Sequence, residues 1–357
     1  MIKRRKTRTV KVGNVRIGYG HPISIQSMTK TDTSDIESTV RQIHELENAG
    51  CEIIRVAVKD PEDAKAVRQI KEEIAIPLVA DIHFDYRLAI ESIKSGADKI
   101  RINPGNIHKF DDIDKIIDEA FSSKVPIRIG VNSGSLKESQ RASGDIADRM
   151  VSFALKYIDH FEKRNFNDLV ISLKASEVPA TVKAYRKIAE KCDYPLHLGI
   201  TAAGLPDDGI VKSSIGLGML IMNGIGDTVR VSLTGNPVFE VDAAKRILAF
   251  VGARHLGPQI IACPTCGRCQ VDLVPIVEEL EDELKGALKR KAAKEEKQLL
   301  IAVMGCEVNG PGEAKDADIG VAFGKDKGVI FSHGKAVKTI KAGSAIKELL
   351  KIIKKEI

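Results

Sequence analysis

Residues 78–103 read LVADIHFDYRLAIESIKSGADKIRIN, and this stretch decides the fold. It opens with a short apolar run, Leu78–Ile82, turns through a loop, and continues as the amphipathic segment DYRLAIESIKSGA. That segment stops at Gly96, and a second run, Lys99–Ile102, follows almost at once. A strand, a helix closed by glycine and a further strand make one βαβ unit.

The same grammar extends in both directions from residue 23 to about 250. The strand-like runs are Ile23–Ser27, Ile53–Val58, Leu78–Ile82, Lys99–Ile102, Ile127–Val131, Leu169–Leu173, Leu196–Ile200 and Thr228–Leu233. Between them, SDIESTVRQIHELENAG predicts a helix capped by Ser34 and ended by Gly50. DPEDAKAVRQIKEEI begins with acids suited to the positive end of a helix, and DDIDKIIDEAFSSK follows Phe110. Eight alternations in this length fit a (β/α)8 TIM barrel better than an open doubly wound sheet. No Walker loop or GxGxxG opens a unit, which disfavours a dinucleotide-binding sheet.

A barrel presents its chemistry at the C-terminal ends of its strands. Those ends carry Arg55; Asp81 and His83; Arg101 and Asn103; Arg128, Gly130 and Asn132; Ser172 and Lys174; His197, Gly199 and Thr201; and Arg230 and Ser232. Within each group the polar residues are two apart, so they share a face, and the intervening Ile, Val and Leu point toward the helices. Five cations, Arg55, Arg101, Arg128, Lys174 and Arg230, then converge at one mouth, with Asp81 as the only evident acid. Unpaired buried charge is costly, and arginine suits bidentate phosphate contacts, so a phosphate or diphosphate ligand is expected there.

The composition is that of a soluble globular protein: 357 residues, 43% hydrophobic, 29% charged and net charge +6. No apolar run is long enough to cross a membrane. The basic N-terminus, MIKRRKTRTVKV, has no apolar core behind it and alternates like a strand with a solvated face. Few aromatics and no Trp argue against base-stacking on nucleic acid. Cys51 and Cys192 lie in segments that read as buried, and the other cysteines are not spaced like a secreted disulfide framework. A reducing cytoplasm is the expected location.

After Phe250 the pattern breaks at VGARHLGPQ, which reads as a linker between a barrel of residues 1–252 and an α+β domain of residues 253–357. In the second part a strand, Gln259–Cys263, leads into CPTCGRC, and a charged helix runs from Val271 to Lys297. Strand Leu299–Met304, the loop CEVNGPGE, strands Ile319–Phe323 and Val329–Ser332, and a helix over 344–357 complete it. Cys263, Cys266 and Cys269 form C-x2-C-x2-C, with Cys306 distant. Spacing alone admits structural zinc or an iron–sulfur cluster. The absence of a second C-x2-C knuckle favours the cluster, and Gly267, Gly305, Gly310 and Gly312 would let backbone approach a bulky inorganic core.

ACPTCGR and GCEVNGPGE together resemble the C-terminal signature of the 4-hydroxy-3-methylbut-2-enyl diphosphate synthases of the non-mevalonate isoprenoid pathway. PISIQSMTKTDT, LVADIHFDYRLA, KIRINPGNI, PIRIGVNSGSL, LVISLKAS and GIGDTVRVSLT extend the resemblance through the barrel half. The resemblance implies a two-domain bacterial-type enzyme with a [4Fe–4S] cluster held by Cys263, Cys266, Cys306 and Glu313, leaving Cys269 outside the ligand set. It implies reductive ring opening and dehydroxylation of 2-C-methyl-D-erythritol 2,4-cyclodiphosphate, with ferredoxin or flavodoxin as donor. It also implies a homodimer in which one subunit's cluster domain caps the other's barrel. On that basis Glu313, Asn309, Asp81 and His83 are the candidate catalytic residues. Arg55, Arg101, Arg128, Asn132, Lys174, Thr201, Arg230 and Ser232 are the candidate substrate-binding residues.

Two positions depart from the family pattern. Ala202 stands where GITEAG would place a Glu at the mouth, with Asp81 a nearby acid able to substitute, and Glu307 stands where the family is usually apolar or small. Two other readings compete. One is a zinc-stapled barrel that binds phosphates or RNA without catalysis, its site completed by Cys269. The other is a barrel enzyme acting on a different phosphorylated substrate, such as a pterin diphosphate.

Overall fold

The computed structural model describes residues 2–107, 109–136, 145–288 and 299–356. Two short strands, β1 (Val10–Val12) and β2 (Val15–Ile17), form an antiparallel hairpin. Val10 and Val12 are buried and Lys11 is exposed, as the alternation in the N-terminal segment predicts. With Ile17 they pack on Ile53, Val79 and Val170, inward residues of three barrel strands, so the hairpin closes that end of the barrel.

The barrel strands are β3 (Ser24–Met28), β4 (Ile53–Val58), β5 (Leu78–Ile82), β6 (Lys99–Ile102), β7 (Ile127–Asn132), β8 (Leu169–Lys174), β9 (His197–Leu198) and β10 (Thr228–Val229). They are parallel and hydrogen-bonded in the order β8-β7-β6-β5-β4-β3-β10-β9, and a single bridge, Ile171 to Leu196, joins the two ends into a ring. The last two strands are shorter than the sequence predicts. Gly199 follows β9, and what lies beside it explains the interruption: a Cβ there would sit 2.5 Å from Lys174 Nζ and 2.6 Å from the Arg230 carbonyl.

Among the described residues, eight helices surround the ring: α1 (Ile36–Ala49), α2 (Pro61–Glu73), α3 (Tyr86–Lys94), α4 (Phe110–Ser123), α5 (Ile146–Lys163), α6 (Val178–Ala189), α7 (Pro206–Met222) and α8 (Val238–Phe250). The cap of α1 is Asp35 rather than Ser34: its carboxylate accepts the Ser38 N–H at 3.2 Å. Asp60, Asp85 and Asp145 cap α2, α3 and α5 in the same way, each such cap contributing about 1 kcal/mol. Gly50 ends α1 in the left-handed conformation at φ 104°, which a residue with a Cβ adopts only with strain.

The chain divides into two compact units, Met1–Arg254 and His255–Ile357, and the division falls inside the Gly- and Pro-bearing linker. The second unit contains β11 (Gln259–Ala262), α9 (Leu273–Leu288), β12 (Leu300–Met304), α10 (Gly310–Asp316), β13 (Ile319–Gly324), β14 (Lys327–Ser332), β15 (Lys335–Lys341) and α11 (Ala345–Glu356). The end of the charged helix, expected to reach Lys297, falls at 289–298, outside the described residues. The five strands lie in sequence order, parallel from β11 to β13 and antiparallel from β13 to β15.

Alternation sets the two faces of this sheet. Ile301, Val303, Ile319, Val321 and Phe323 share one core with Leu280 of α9 and with Leu349 and Ile353 of α11. Ala302, Met304 and Ala322 face the other way and meet Ala314 of α10. Small residues let α10 lie close: a Cβ on Gly310 would be 3.0 Å from Met304 Cβ, and one on Gly320 would collide with the Ala314 carbonyl. This packing fixes where the CEVNGPGE loop leaves the sheet.

Candidate functional site

The strand registers place the barrel's polar residues on its inner face. Arg55 pairs with Val79 and Val79 with Lys99; Asp81 pairs with Arg101, Arg101 with Arg128, Gly130 with Ser172 and Asn132 with Lys174. Partners in a parallel ladder point to the same face. The inner face therefore carries Arg55, Lys99, Arg101, Arg128 and Lys174, all of them buried, with Arg230 half-buried. Two glycines make room for these long side chains. A Cβ on Gly130 would lie 2.6 Å from Arg101 Nε, and Gly199 does the same for Lys174.

Asp81 is the hub of one side. Its carboxylate lies 2.9 Å from Arg101 Nη1 and 3.8 Å from Arg55 Nε. His83 Nε2 is 3.4 Å from the same carboxylate and 3.0 Å from Arg101 Nη1, while Asn106 Nδ2 lies 2.9 Å from His83 Nδ1. Burial alone would raise the Asp81 carboxyl, but Arg55 and Arg101 outweigh it and hold it well below the usual carboxylate range.

Asp81 is not the only acid, which corrects the sequence reading. Glu240 of α8 is 1% exposed and reaches back under the barrel mouth. It lies 3.6 Å from Arg230 Nη2 and 3.4 Å from Lys30 Nζ. It also accepts the Ser27 hydroxyl at 3.3 Å and the Leu233 N–H at 3.0 Å. Strand alternation could not find it, because it sits on a helix. Lys99 was legible on the inner face of β6 two residues before Arg101, but it begins its strand and so escapes a search of strand ends.

Even with both acids counted, six cations face two carboxylates among the described residues. Arg128 Nε and Nη1, Arg101 Nε, Arg230 Nε and Lys99 Nζ have no hydrogen-bond partner. Burial, reinforced by the neighbouring arginines, pushes Arg55 down to about 9 and drives Arg128, Lys174 and Lys99 well below their ordinary values. Such a cluster is poised for an anion that restores the charge balance. Asn132, the last residue of β7, and Thr201 and Ser232, in the loops after β9 and β10, are half-exposed, and Ala202 is exposed with φ 50°.

In the second unit, Cys263, Cys266, Cys269, Cys306, Asn309 and Glu313 line one cavity of about 440 Å³, together with Arg268, Met304, Gly305 and Gly310. The Gly305 N–H donates to Cys263 Sγ at 3.2 Å, and a Cβ on Gly305 would collide with Cys269 Sγ. Cys306 lies before the first turn of α10. The backbone N–H groups of Val308, Asn309 and Gly310, with Arg268 nearby, lower its thiol below the ordinary value. Cys269 donates its S–H to the Val271 carbonyl at 3.2 Å. Cys266, Asn309 and Glu313 are exposed.

Among the described residues no three His, Cys, Asp or Glu groups converge tightly enough to hold a single metal ion. The four thiols line one cavity, and soft donors of this kind fit an iron–sulfur body. The exposed carboxylate of Glu307 lies over Gly324, where any Cβ would collide with it.

These features define a class: a (β/α)8 barrel with an anion-seeking interior, joined to a sheet domain with a thiol-lined cavity. The chain belongs to the GcpE family. The GcpE TIM-barrel domain matches residues 7–245, and the GcpE protein C-terminal domain matches residues 259–355.

A relative from Caldanaerobacter subterraneus subsp. tengcongensis, described as 4-hydroxy-3-methylbut-2-en-1-yl diphosphate synthase (flavodoxin), is 52% identical over 99% of both chains. A relative of the same description from Thermodesulfovibrio yellowstonii is 50% identical over 99% of this chain and 100% of its own. Among solved structures, dihydropteroate synthase from Stenotrophomonas maltophilia superposes with TM-score 0.53 at 13% identity, covering 68% of this chain and 98% of its own. That likeness shows the barrel fold alone. No helix among the described residues is long and apolar enough to cross a membrane.

Proposed function

We propose that this chain converts 2-C-methyl-D-erythritol 2,4-cyclodiphosphate to 4-hydroxy-3-methylbut-2-enyl diphosphate, taking electrons from a flavodoxin. The observation that carries the reading is the surplus of buried cations on the barrel's inner face, in a chain about half identical to synthases of that description. Two electrons and one proton enter and water leaves. The ring-ester oxygen emerges as an anionic phosphate oxygen, so the product carries one more negative charge than the substrate.

A pocket of fixed cations binds both species but favours the more anionic one, and so stabilises charge as the ring opens. Arg55, Arg101, Arg128, Lys174 and Arg230 hold the diphosphate, with Asn132, Thr201 and Ser232 donating at the rim. Asp81 is best suited to orient Arg55 and Arg101. A carboxyl held so low stays ionised, which makes it a poor substitute for the missing acid at Ala202. His83, hydrogen-bonded to Asp81 and Asn106, is the better proton carrier.

Cys263, Cys266, Cys306 and Glu313 would hold a [4Fe–4S] cluster, with Cys269 packed behind Gly305. Such a cluster supplies single electrons in two successive transfers. The Gly305 N–H bond to Cys263 Sγ would tune it, and the lowered Cys306 thiol favours the ligating thiolate. The carboxylate of Glu313 is the most readily displaced donor of the set, and Asn309 beside it can hydrogen-bond an incoming oxygen. The working unit is a homodimer in which each barrel is served by the partner subunit's cysteine loops.

Anaerobically purified protein should be brown, with broad absorption near ~400 nm and about four irons per chain. Colourless protein with one zinc per chain contradicts the reading.

A further inference from the structure

The barrel interior holds more cation than the rim residues account for, and the surplus lies below them. Lys99 begins β6, two residues before Arg101, and is 0% exposed. Its Nζ has no hydrogen-bond partner. Two residues along a strand is about 7 Å, so Lys99 stands one level deeper than Arg101. His197, at the start of β9, is also 0% exposed, and neither of its ring nitrogens has a partner. Arg128 is the register partner of Arg101 on β7, 2% exposed, with Nε and Nη1 unpartnered among the described residues. The Arg128 charge bears on Lys99, and the charges of both bear on His197.

Among the described residues no carboxylate forms an ion pair with Lys99, Arg128 or His197. Asp81 is held by Arg101 and Arg55, and Glu240 by Arg230 and Lys30. Asp98, next to Lys99 in sequence, bonds Lys71 Nζ at 2.6 Å and the Leu78 N–H at 2.7 Å. A purely structural lysine in this position would be expected to pair with a carboxylate or a carbonyl. The hairpin β1–β2 closes the barrel beneath with Val10, Val12 and Ile17, which pack on Ile53, Val79 and Val170.

We infer that Lys99, Arg128 and His197 form an inner oxyanion subsite that takes the deepest phosphate group of the diphosphate ligand, with Lys99 as its floor. This rests on the diphosphate reading of the barrel but not on any redox step. The subsite separates two demands. The rim cations hold the phosphate nearest the reacting carbon, and the floor anchors the other phosphate so that the molecule keeps its depth while its ring opens.

The test is binding of inorganic pyrophosphate to the full chain and to its Lys99→Met and Lys99→Gln variants, with the melting temperature of each ligand-free protein. The expected result is a loss of about ten-fold or more in pyrophosphate affinity for both variants, as for a buried charge-assisted contact. The ligand-free melting temperature should be unchanged or higher, because an unpartnered buried amine has been removed. Unchanged affinity, as expected if only water meets Lys99, overturns the inference. So does a lowered melting temperature with the affinity loss, which would make Lys99 structural. Orthophosphate should compete with pyrophosphate; if it binds without competing, the floor is a separate resident-anion site and the inference fails. Failure of the unaltered chain to convert the cyclic diphosphate would count against the proposed reaction, whereas the pyrophosphate affinities decide the subsite.

Discussion

The two units build their sites in opposite ways. In the barrel, Arg55, Arg101, Arg128 and Lys174 stand on strands, buried, with their heights set by hydrogen-bonded register. In the second unit, Cys263, Cys266, Cys306 and Glu313 stand on loops or a helix start around a cavity, and two of the four are exposed. The barrel sets unbalanced charge on a hydrogen-bonded frame. The thiol site sets four thiols and the Glu313 carboxylate around a cavity, away from regular strands. Anion binding should therefore survive damage to the cysteine loops, while metal binding should survive damage to the barrel.

The largest effects come from breaking each half separately. Cys306→Ser should abolish iron binding and turnover yet leave pyrophosphate affinity intact. Arg128→Met should keep the iron and lose pyrophosphate affinity by about a hundred-fold or more. Mixed after unfolding and refolding, the two inactive variants should regain roughly a quarter of wild-type activity if sites form between subunits of a symmetric dimer. No recovery would place both halves of a site in one chain.

Glu240→Gln tests the neglected acid of the barrel. Freed from Glu240, Arg230 and Lys30 lose their orientation, so KM should rise by about ten-fold with a smaller fall in kcat, and Glu240→Asp should restore part of the loss. An equal fall in kcat and kcat/KM would instead place Glu240 in the chemical step.

Asp81 gives a pH signature. Its folded-state value lies below the unfolded one, so its contribution to stability is complete above about pH 4 and is lost as pH falls through the folded value. Asp81→Asn should cost about 3 kcal/mol at neutral pH and flatten the acid limb of the stability curve. An acid limb unchanged in the variant would show that Asp81 is not what titrates.

The smallest effect is expected at Cys269. Cys269→Ser should leave iron content unchanged, because its thiol packs against Gly305 and bonds Val271. Loss of iron would move Cys269 into the ligand set and Glu313 out of it.

Much of this was legible in the sequence, for physical reasons. Strand faces follow a period of two, so one correct phase on β4 to β8 placed four buried cations and Asp81 together. The ends of β9 and β10 were less legible, because Gly199 yields its space to Lys174 and a run of strand-forming residues does not show such an intrusion. Glu240 was hidden because its contacts cross from a helix to a strand and no periodicity links them. Strand β15 was missed because KAVKTIK reads as solvated. It is an edge strand whose only buried residue is Ile340, and its lysines blunt the open edge. In the thiol cavity, spacing pointed to Cys263, Cys266 and Cys269 alike. The family resemblance set Cys269 apart, and in the structure its thiol bonds the Val271 carbonyl while Cys263 Sγ accepts the Gly305 N–H.

The central claim is that the cationic barrel and the thiol cavity serve one reduction. Its most direct test is anaerobic incubation of the iron-loaded chain with the cyclic diphosphate and reduced flavodoxin, following both diphosphates. The account predicts one linear butenyl diphosphate formed for every two electrons consumed, with none formed by Cys306→Ser or Arg128→Met. Iron-loaded protein that binds the cyclic diphosphate but leaves it unreduced by flavodoxin or by a strong chemical reductant would contradict it.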